Sequence, residues 1–269
     1  MKDLLARIHP VTTRRAPVST ESLARFEAAW GRLPSGYREL MAELGVGTLT
    51  CWVRVYSPER IAAERDEWRA RIGEYWFWSD DGDTGLDQSR ALECTCFADT
   101  IGGDELIAHP DDPDSLFVLP RNHDQVMRAG ADLAEALTWL HESGRLTAPL
   151  QLWYFEPWVS WTRLDAAGTG AEHDEIVAAV EGLGIVEHRA DAGEEEEEED
   201  GPFTTLLLPS IGGLLTLHDA STLRLSCDPG ADPRLLQKIQ QALAGVGCTV
   251  GQPRREPAPS YSWLGEAGG

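Results

Sequence analysis

The chain has 269 residues, of which 42% are hydrophobic and 25% are charged, the usage of a globular protein rather than of a disordered or collagen-like one. It carries 23 basic and 45 acidic side chains, so its formal net charge is −22. Such a charge repels nucleic acid phosphates and anionic membrane surfaces, and it attracts basic proteins. We therefore expect no nucleic acid partner and no membrane partner.

Two helices are predicted near the start of the chain. Apolar residues recur at helical spacing from Leu23 onward, Ser19 precedes them as a typical N-cap, and Gly31 ends the pattern. The proline of Leu33-Pro34 separates this helix from a second one, expected over about 35–44.

The rest of the first half alternates strands with two more helices. Apolar and polar residues alternate from Leu49 to Tyr56, which predicts one strand, and Ser57-Pro58 begins a polar helix through about 72. Further strands are expected at 75–78, 92–97, 105–109 and 115–119, before a helix at about 132–142. This order predicts an α+β fold, with helices on one face of a mostly antiparallel sheet. The side chains expected to be buried together are Phe26, Tyr37, Leu40, Leu44, Val53 and Leu137.

The second half differs in composition and predicts a second, smaller α+β domain. Aromatic residues are dense from 149 to 164, and Glu194–Asp200 is a run of seven acids typical of a solvated, disordered segment. The run could alternatively imitate nucleic acid phosphates toward a basic protein. Predicted helices lie at about 172–183 and 232–244, and predicted strands at 185–189, 203–208, 214–218, 222–227 and 248–250. We expect domains at 1–147 and 148–252, an acidic linker at 192–201 and a flexible tail at 253–269.

Cysteine usage and the first residues both favour the cytoplasm. Five cysteines in 269 residues do not form a secreted disulfide framework, and buried free thiols are expected instead. The first residues contain no apolar stretch of the kind that a signal peptide needs. We therefore expect a cytoplasmic protein.

Signatures of catalysis and of metal binding are missing from the sequence. It contains no P-loop, no G-x-S-x-G, no H-E-x-x-H and no paired C-x-x-C. An EF-hand that begins at Asp81 would need a glycine at its sixth position and a glutamate at its twelfth, where the chain has Leu86 and Leu92. We expect no catalytic residues, no cofactor and no metal, although distant residues could still assemble a metal site.

Two acidic loops are the candidate partner-binding segments. Acidic side chains beside aromatic ones combine charge steering with the side chains that often dominate binding energy. The alternative is that these loops are merely solvated and that most tryptophans belong to the core. The candidate residues are Trp76, Trp78, Asp80, Asp81 and Asp83 in the first loop and Asp111, Asp112 and Asp114 in the second.

The motif order over about residues 15–145 resembles the SUKH superfamily, the Smi/Knr-like family. The matching segments are Leu23 with Phe26-Glu27, Leu33-Pro34 with Tyr37-Arg38, Gly45-Val46-Gly47, Val55–Glu59, Phe97-Ala98, Gly102–Leu106 and the helix at Leu133–Leu140. The resemblance implies an α+β domain and a protein-binding role. Many members are bacterial immunity proteins that neutralise polymorphic toxins, often nucleases, by direct binding, and some eukaryotic members are regulatory interaction proteins. The chain departs from the family in its C-terminal half and its acid run.

Three hypotheses for function follow. The leading one is a non-enzymatic, cytoplasmic immunity protein that occludes a basic toxin domain. The second is a regulatory or scaffold module of the same family without a toxin partner. The third is an enzyme whose active site lies in the C-terminal half. A toxin-bearing gene next to this one would favour the first hypothesis.

Overall fold

The computed structural model of the chain describes residues 1–79, 84–168, 170–192, 203–218 and 222–258. The chain divides into two units, the first made of Met1–His9 and Arg15–Pro157, the second of Pro10–Arg14 and the chain from Trp158 onward. The helices are α1 Lys2–Arg7, α2 Thr20–Trp30, α3 Tyr37–Glu43, α4 Pro58–Glu74, α5 Gln88–Ala91, α6 Leu133–Glu142, α7 His173–Glu181 and α8 Pro233–Gly245. Across the described residues, none of these helices is both long and apolar enough to span a bilayer.

The strands form one sheet in each unit. Those of the first unit are β1 His9–Pro10, β2 Gly47–Leu49, β3 Val53–Val55, β4 Thr95–Thr100, β5 Glu105–His109, β6 Asp112–Leu119, β7 Met127–Gly130 and β8 Tyr154–Pro157. Those of the second are β9 Trp161–Gly168, β10 His188–Ala192, β11 Phe203–Leu208, β12 Gly213–His218, β13 Thr222–Cys227, β14 Cys248–Val250 and β15 Arg254–Glu256.

The first unit is an α+β fold with a sheet in the order β1-β8-β2-β3-β4-β5-β6-β7. Neighbouring strands from β8 to β7 are antiparallel, as predicted. The helices begin where side chains cap them: Ser19, Ser57 and Asp132 accept backbone N–H groups at the starts of α2, α4 and α6. The six side chains expected to be buried together all lie in one core, which confirms that prediction.

The second unit is a smaller α+β fold. Its sheet runs β10-β11-β12-β13-β9-β14 with β15 also on β9, and every described pairing is antiparallel. Leucines of β11, β12 and β13 form its core with Ile176 of α7 and Ile239 of α8. The segment Pro10–Arg14 belongs to this unit: Thr12 Oγ1 lies 2.8 and 2.7 Å from the two carboxylate oxygens of Asp228.

The predicted single strand from Leu49 to Tyr56 is wrong. The chain reverses at Thr50 and Cys51, which have φ of 53° and 52°, and β2 and β3 pair as a hairpin with Leu49 opposite Val53. Such a turn is usually made by Asn-Gly or Gly-Gly, because a β-branched residue is strained at positive φ. Thr50 therefore gave no turn signal in the sequence.

Three further expectations differ from the structure, and a fourth lies almost wholly outside the described residues. The first unit extends to Pro157, past the expected boundary at 147, because β8 pairs with β2. The expected strand at 75–78 is irregular chain. The tail expected to be flexible from 253 contains β15, which is fixed on β9 by an ion pair of Glu256 with Arg163 at 2.7 Å. In the acidic linker expected at 192–201, Ala192 ends β10, and the acid run Glu194–Asp200 lies outside the described residues.

Candidate partner-binding surfaces

The two tryptophans of the first candidate loop pack inward. Trp78 is only 5% exposed, and its indole N–H donates to the Pro120 carbonyl at 2.7 Å. Trp76 is half-buried and meets Trp78 edge-on at 5.2 Å between ring centroids. Their neighbours face the solvent instead, with Tyr75 61% and Phe77 53% exposed. The aromatic contacts expected from the tryptophans are therefore available from Tyr75 and Phe77.

Ser79, the last described residue before the acids of that loop, contacts the β6–β7 connection. The backbone N–H of Ser79 donates to the Asp124 carbonyl at 2.6 Å, and its hydroxyl donates to the same oxygen at 2.9 Å. The next candidates, Asp80, Asp81 and Asp83, lie outside the described residues.

The second candidate loop is the β5–β6 turn. Asp111 and Asp112 are exposed, and neither carboxylate has a cationic side chain within 4 Å in the described part of the chain. Asp114 is engaged: it pairs with Arg32 and accepts the backbone N–H of Ser35 at 2.9 Å. Asp114 thus holds the α2–α3 junction against β6. The negative charge available to a partner is carried by Asp111 and Asp112.

Ser79 and the β5–β6 turn lie at opposite ends of β6. Strands β5 and β6 run antiparallel with Glu105 opposite Leu119 and His109 opposite Asp112. The β5–β6 turn is therefore at one end of β6, and the β6–β7 connection that Ser79 contacts is at the other. Ser79, the last described residue before the acids of the first loop, is therefore at the other end of β6 from Asp111 and Asp112.

A narrow groove with room for about one water molecule lies next to the β5–β6 turn, and no sequence pattern indicated it. Its lining includes Phe26, Trp30, Phe97, His109, Pro110 and Pro113. The exposed acids Asp111 and Asp112 stand between the two lining prolines. The helical spacing of Phe26 and Trp30 marked them for the α2 packing face, but no local pattern indicates that β5 ends beneath them.

The histidine of this groove is held by two hydrogen bonds. His109 is 5% exposed, its Nε2 lies 2.9 Å from Glu93 Oε2, and its Nδ1 accepts the Asp111 N–H at 3.2 Å. Because Nδ1 accepts, the proton of a neutral ring resides on Nε2 and points at the Glu93 carboxylate. The contact fixes the ring and the turn that carries the acids.

A buried charge network lies elsewhere in the first unit, between α4 and the sheet. The guanidinium of Arg60, 2% exposed, lies 3.5 Å from the centroid of the Tyr56 ring, 2.9 Å from Glu64 and 3.8 Å from Asp99. Asp99 also pairs with Arg54. Two cations face two anions, so the network is internally neutral, and it joins α4 to β3 and β4. Burial raises the pKa of Tyr56, which stays protonated.

Two pairs of a hydroxyl and an imidazole resemble parts of a nucleophilic site, but both are buried. Thr50 Oγ1 lies 3.2 Å from His141 Nε2, and Thr204 Oγ1 lies 2.8 Å from His173 Nε2. The Thr50 hydroxyl donates to the Leu152 carbonyl at 3.2 Å. The Thr204 hydroxyl, on a residue that is 1% exposed, donates to the Asp191 carboxylate at 2.6 Å. Both pairs cross-link chain segments, and neither hydroxyl is open to a substrate.

Cysteine chemistry is also suppressed where the thiols are buried. Burial raises the pKa of Cys94 to about 12 and that of Cys227 to about 11, and it raises the pKa of Cys96 well above its ordinary value. These thiols stay protonated and unreactive at neutral pH. All five cysteines are thiols outside any disulfide, and Cys51 differs in being half-exposed, with its sulfur 3.9 Å from Glu156. The described residues contain no cluster of three or more His, Cys, Asp or Glu side chains able to hold a metal ion.

The chain matches no protein-family model, no curated protein and no solved structure. The resemblance to the SUKH superfamily therefore depends on the order of its motifs and stays a prediction.

Proposed function

We propose that the protein is a non-enzymatic binding protein for a basic protein partner. The observation that carries this proposal is the net charge of −22. Favourable charge raises the rate of encounter between proteins and suppresses partners of like charge. The same charge disfavours nucleic acid and anionic membranes, so a basic protein is the macromolecule that it selects.

Exposed apolar side chains support a protein partner. Tyr75, Phe77 and Ile101 are each more than half exposed. Tyrosine is enriched among the residues that dominate binding energy when they become buried in an interface. A basic partner could be steered by the acids and anchored by such residues.

The SUKH resemblance narrows the proposal to an immunity protein. In this mechanism the chain binds a toxin domain, such as a nuclease, in the cytoplasm and covers its active site in one-to-one stoichiometry. No group of this protein needs to react, in keeping with the burial of Thr50, Thr204 and the Cys94, Cys96 and Cys227 thiols. The second candidate, a regulatory or scaffold module, uses the same surfaces for a partner that is not a toxin.

The test is to co-express the chain with the product of the adjacent gene and to purify the chain. A stable one-to-one complex in which the partner's toxic activity is lost supports the immunity proposal. A complex with a non-toxic protein favours the scaffold alternative. If neither the adjacent gene product nor any other basic protein binds, and the purified chain instead turns over substrate, the proposal is wrong.

A further inference from the structure

We propose that the C-terminal end of α4 and the exposed rings that follow it bind an arginine side chain of the basic partner. This inference rests on the proposed function, since it assigns one contact of that partner to a particular surface of the first unit. Tyr75 and Phe77 are 61% and 53% exposed, and Glu74, the last residue of α4, is exposed next to them. These three residues are called the aromatic surface below.

The two exposed rings are held by the tryptophans with which they alternate in the chain. Trp78 is 5% exposed, and its indole N–H donates to the Pro120 carbonyl at 2.7 Å. The Phe77 ring rests on Trp78, with 4.2 Å between centroids and 31° between ring planes. The exposed part of Phe77 is therefore the side turned away from Trp78. A ring that the protein already holds loses less conformational freedom when a partner binds it.

The charge next to these rings is negative. The Tyr75 hydroxyl donates to the Glu74 carboxylate, which raises the pKa of Tyr75 and keeps the phenol protonated. The basic residue in the last turn of α4, Arg71, pairs with Glu105 instead, and no cationic nitrogen of the described residues lies within 4 Å of the Glu74 carboxylate. The carboxylate beside the rings thus lacks a cation of its own.

The end of α4 adds partial negative charge at the same place. The last carbonyl groups of an α-helix carry partial negative charge that favours a nearby cation. Helix α4 has 17 residues and ends at Glu74. The side-chain amide of Gln88 donates to the carbonyls of Ile72 and Gly73 at 3.0 Å each. Because an amide is uncharged, these hydrogen bonds satisfy the carbonyls without neutralising the helix end.

A guanidinium fits the aromatic surface better than an ammonium does. A cation within about 6 Å of an aromatic face is attracted by the ring, and arginine makes this contact more often than lysine. The guanidinium is planar and weakly hydrated, so it stacks on a ring while its N–H groups reach a carboxylate. The lysine ammonium is compact and strongly hydrated. Tyr75 and Phe77 supply the ring faces, and Glu74 supplies the acceptor.

The experiment titrates the full chain with the peptide triarginine and follows the Tyr75 and Phe77 ring signals and the Trp76 indole N–H by NMR. Trilysine has the same charge without the planar group, and tricitrulline has a planar group without the charge. Triarginine should shift all three signals, with a midpoint about two- to five-fold lower than that of trilysine, and tricitrulline should shift them little. Absence of a triarginine shift, or a midpoint for either matched peptide equal to that of triarginine, overturns the inference.

Variants locate the contact on the aromatic surface. Glu74→Gln should raise the triarginine midpoint about two- to five-fold, because the acceptor loses its charge. The control Glu39→Gln removes the same charge from an exposed position on α3 and should leave the midpoint near that of the wild type. Tyr75→Leu/Phe77→Leu keeps apolar side chains but removes both rings, so its triarginine midpoint, read at Trp76, should rise to that of trilysine. Equal weakening by the two glutamine variants, or no weakening in the leucine variant, overturns the inference.

Binding of the adjacent gene product separates this inference from the proposed function. If that protein binds Tyr75→Leu/Phe77→Leu as tightly as it binds the wild type, the arginine contact is wrong and the proposed function stands. If triarginine occupies the aromatic surface but no basic protein binds the chain, the proposed function is wrong and the cation site stands.

Discussion

Protonation of His141 should destabilise the first unit in mildly acidic solution. The ring is 2% exposed, stacks on Trp153 at 3.7 Å between centroids, and lies 3.3 Å from the Leu152 carbonyl through Nε2. Burial lowers the pKa of His141 to about 4, although the Leu152 carbonyl and Glu142 favour the charged form. The folded state therefore holds a neutral imidazole where an unfolded chain would protonate near pH 6.5.

The sign and size of the effect follow from the two pKa values. Above about pH 6.5 the ring is neutral in both states, so its contribution is constant. As the pH falls toward about 4, His141 is protonated in the unfolded chain but stays neutral in the folded chain, so the free energy of unfolding decreases. At about 1.4 kcal/mol per pH unit, the interval from about 6.5 to about 4 corresponds to about 3 kcal/mol. Below about pH 4 this loss is complete.

The assay is urea unfolding between pH 7 and 4 for the wild type, His141→Gln and the control His123→Gln, which changes an exposed histidine. The glutamine amide can still donate to Leu152 but does not titrate. We expect His141→Gln to be less stable at pH 7, because it loses the stacking on Trp153, and to lose about 3 kcal/mol less than the wild type on acidification. NMR titration of the wild-type His141 ring measures its pKa even if that variant does not fold. Equal pH dependence in all three proteins, or a ring pKa near 6.5, would show that burial does not keep His141 neutral in the folded chain.

Three further changes test other parts of the account. Deletion of Glu194–Asp200 should change the free energy of unfolding by less than about 1 kcal/mol, because the sequence predicts a solvated run and such runs contribute little to stability. A large fall in the urea midpoint would contradict that prediction. Thr12→Val should destabilise the second unit by about 1–3 kcal/mol in urea unfolding, since the Asp228 carboxylate loses its hydroxyl donor. Thr12→Ser keeps a hydroxyl and should retain most of the wild-type stability. Equal stability of the valine and serine variants would show that this hydrogen bond does not stabilise the unit. Neutralising the first acidic loop should slow association with the basic partner in stopped-flow experiments and leave thermal stability nearly unchanged, whereas an unchanged rate would remove this loop from the encounter surface. The substitutions in the loop are Asp80→Asn, Asp81→Asn and Asp83→Asn.

The helices could be predicted because their signals are local. Ser57 followed by Pro58 begins α4, and Asp132 begins α6, where side-chain caps satisfy the first backbone donors. Apolar spacing then predicted which faces are buried, and Leu40 and Leu137 lie in the core as expected. These signals need only a few neighbouring residues, so the sequence alone contains them.

The turn at Thr50-Cys51 could not be predicted because distant residues stabilise it. Thr50 donates its N–H to the Tyr154 carbonyl at 2.8 Å, and its hydroxyl contacts His141 and Leu152, about 90 to 100 positions along the chain. These contacts compensate for the strain of a β-branched residue at positive φ. The same long-range pairing explains why the first unit extends to β8.

The candidate surfaces were predicted in composition but not in position. The acids of the β5–β6 turn were identified from charge, nearby aromatic residues and their place between predicted strands. The groove beside them requires α2 to cross the end of β5, which no local pattern encodes. In the first loop, the sequence predicted that tryptophans contact a partner. Trp78 is instead buried and donates to the Pro120 carbonyl, while Phe77 is exposed. Which face of an aromatic run is buried depends on its tertiary neighbours.

The salt dependence of association with the adjacent gene product shows whether the negative charge of the chain steers its partner. Exposed charges are screened beyond about 10 Å at 0.1 M salt, while packed apolar contacts are screened much less. If a net charge of −22 steers a basic partner, the association rate constant should fall steeply as salt rises, and the dissociation rate constant should change much less. A complex whose association rate is independent of salt, or that forms faster at high salt, would contradict the account.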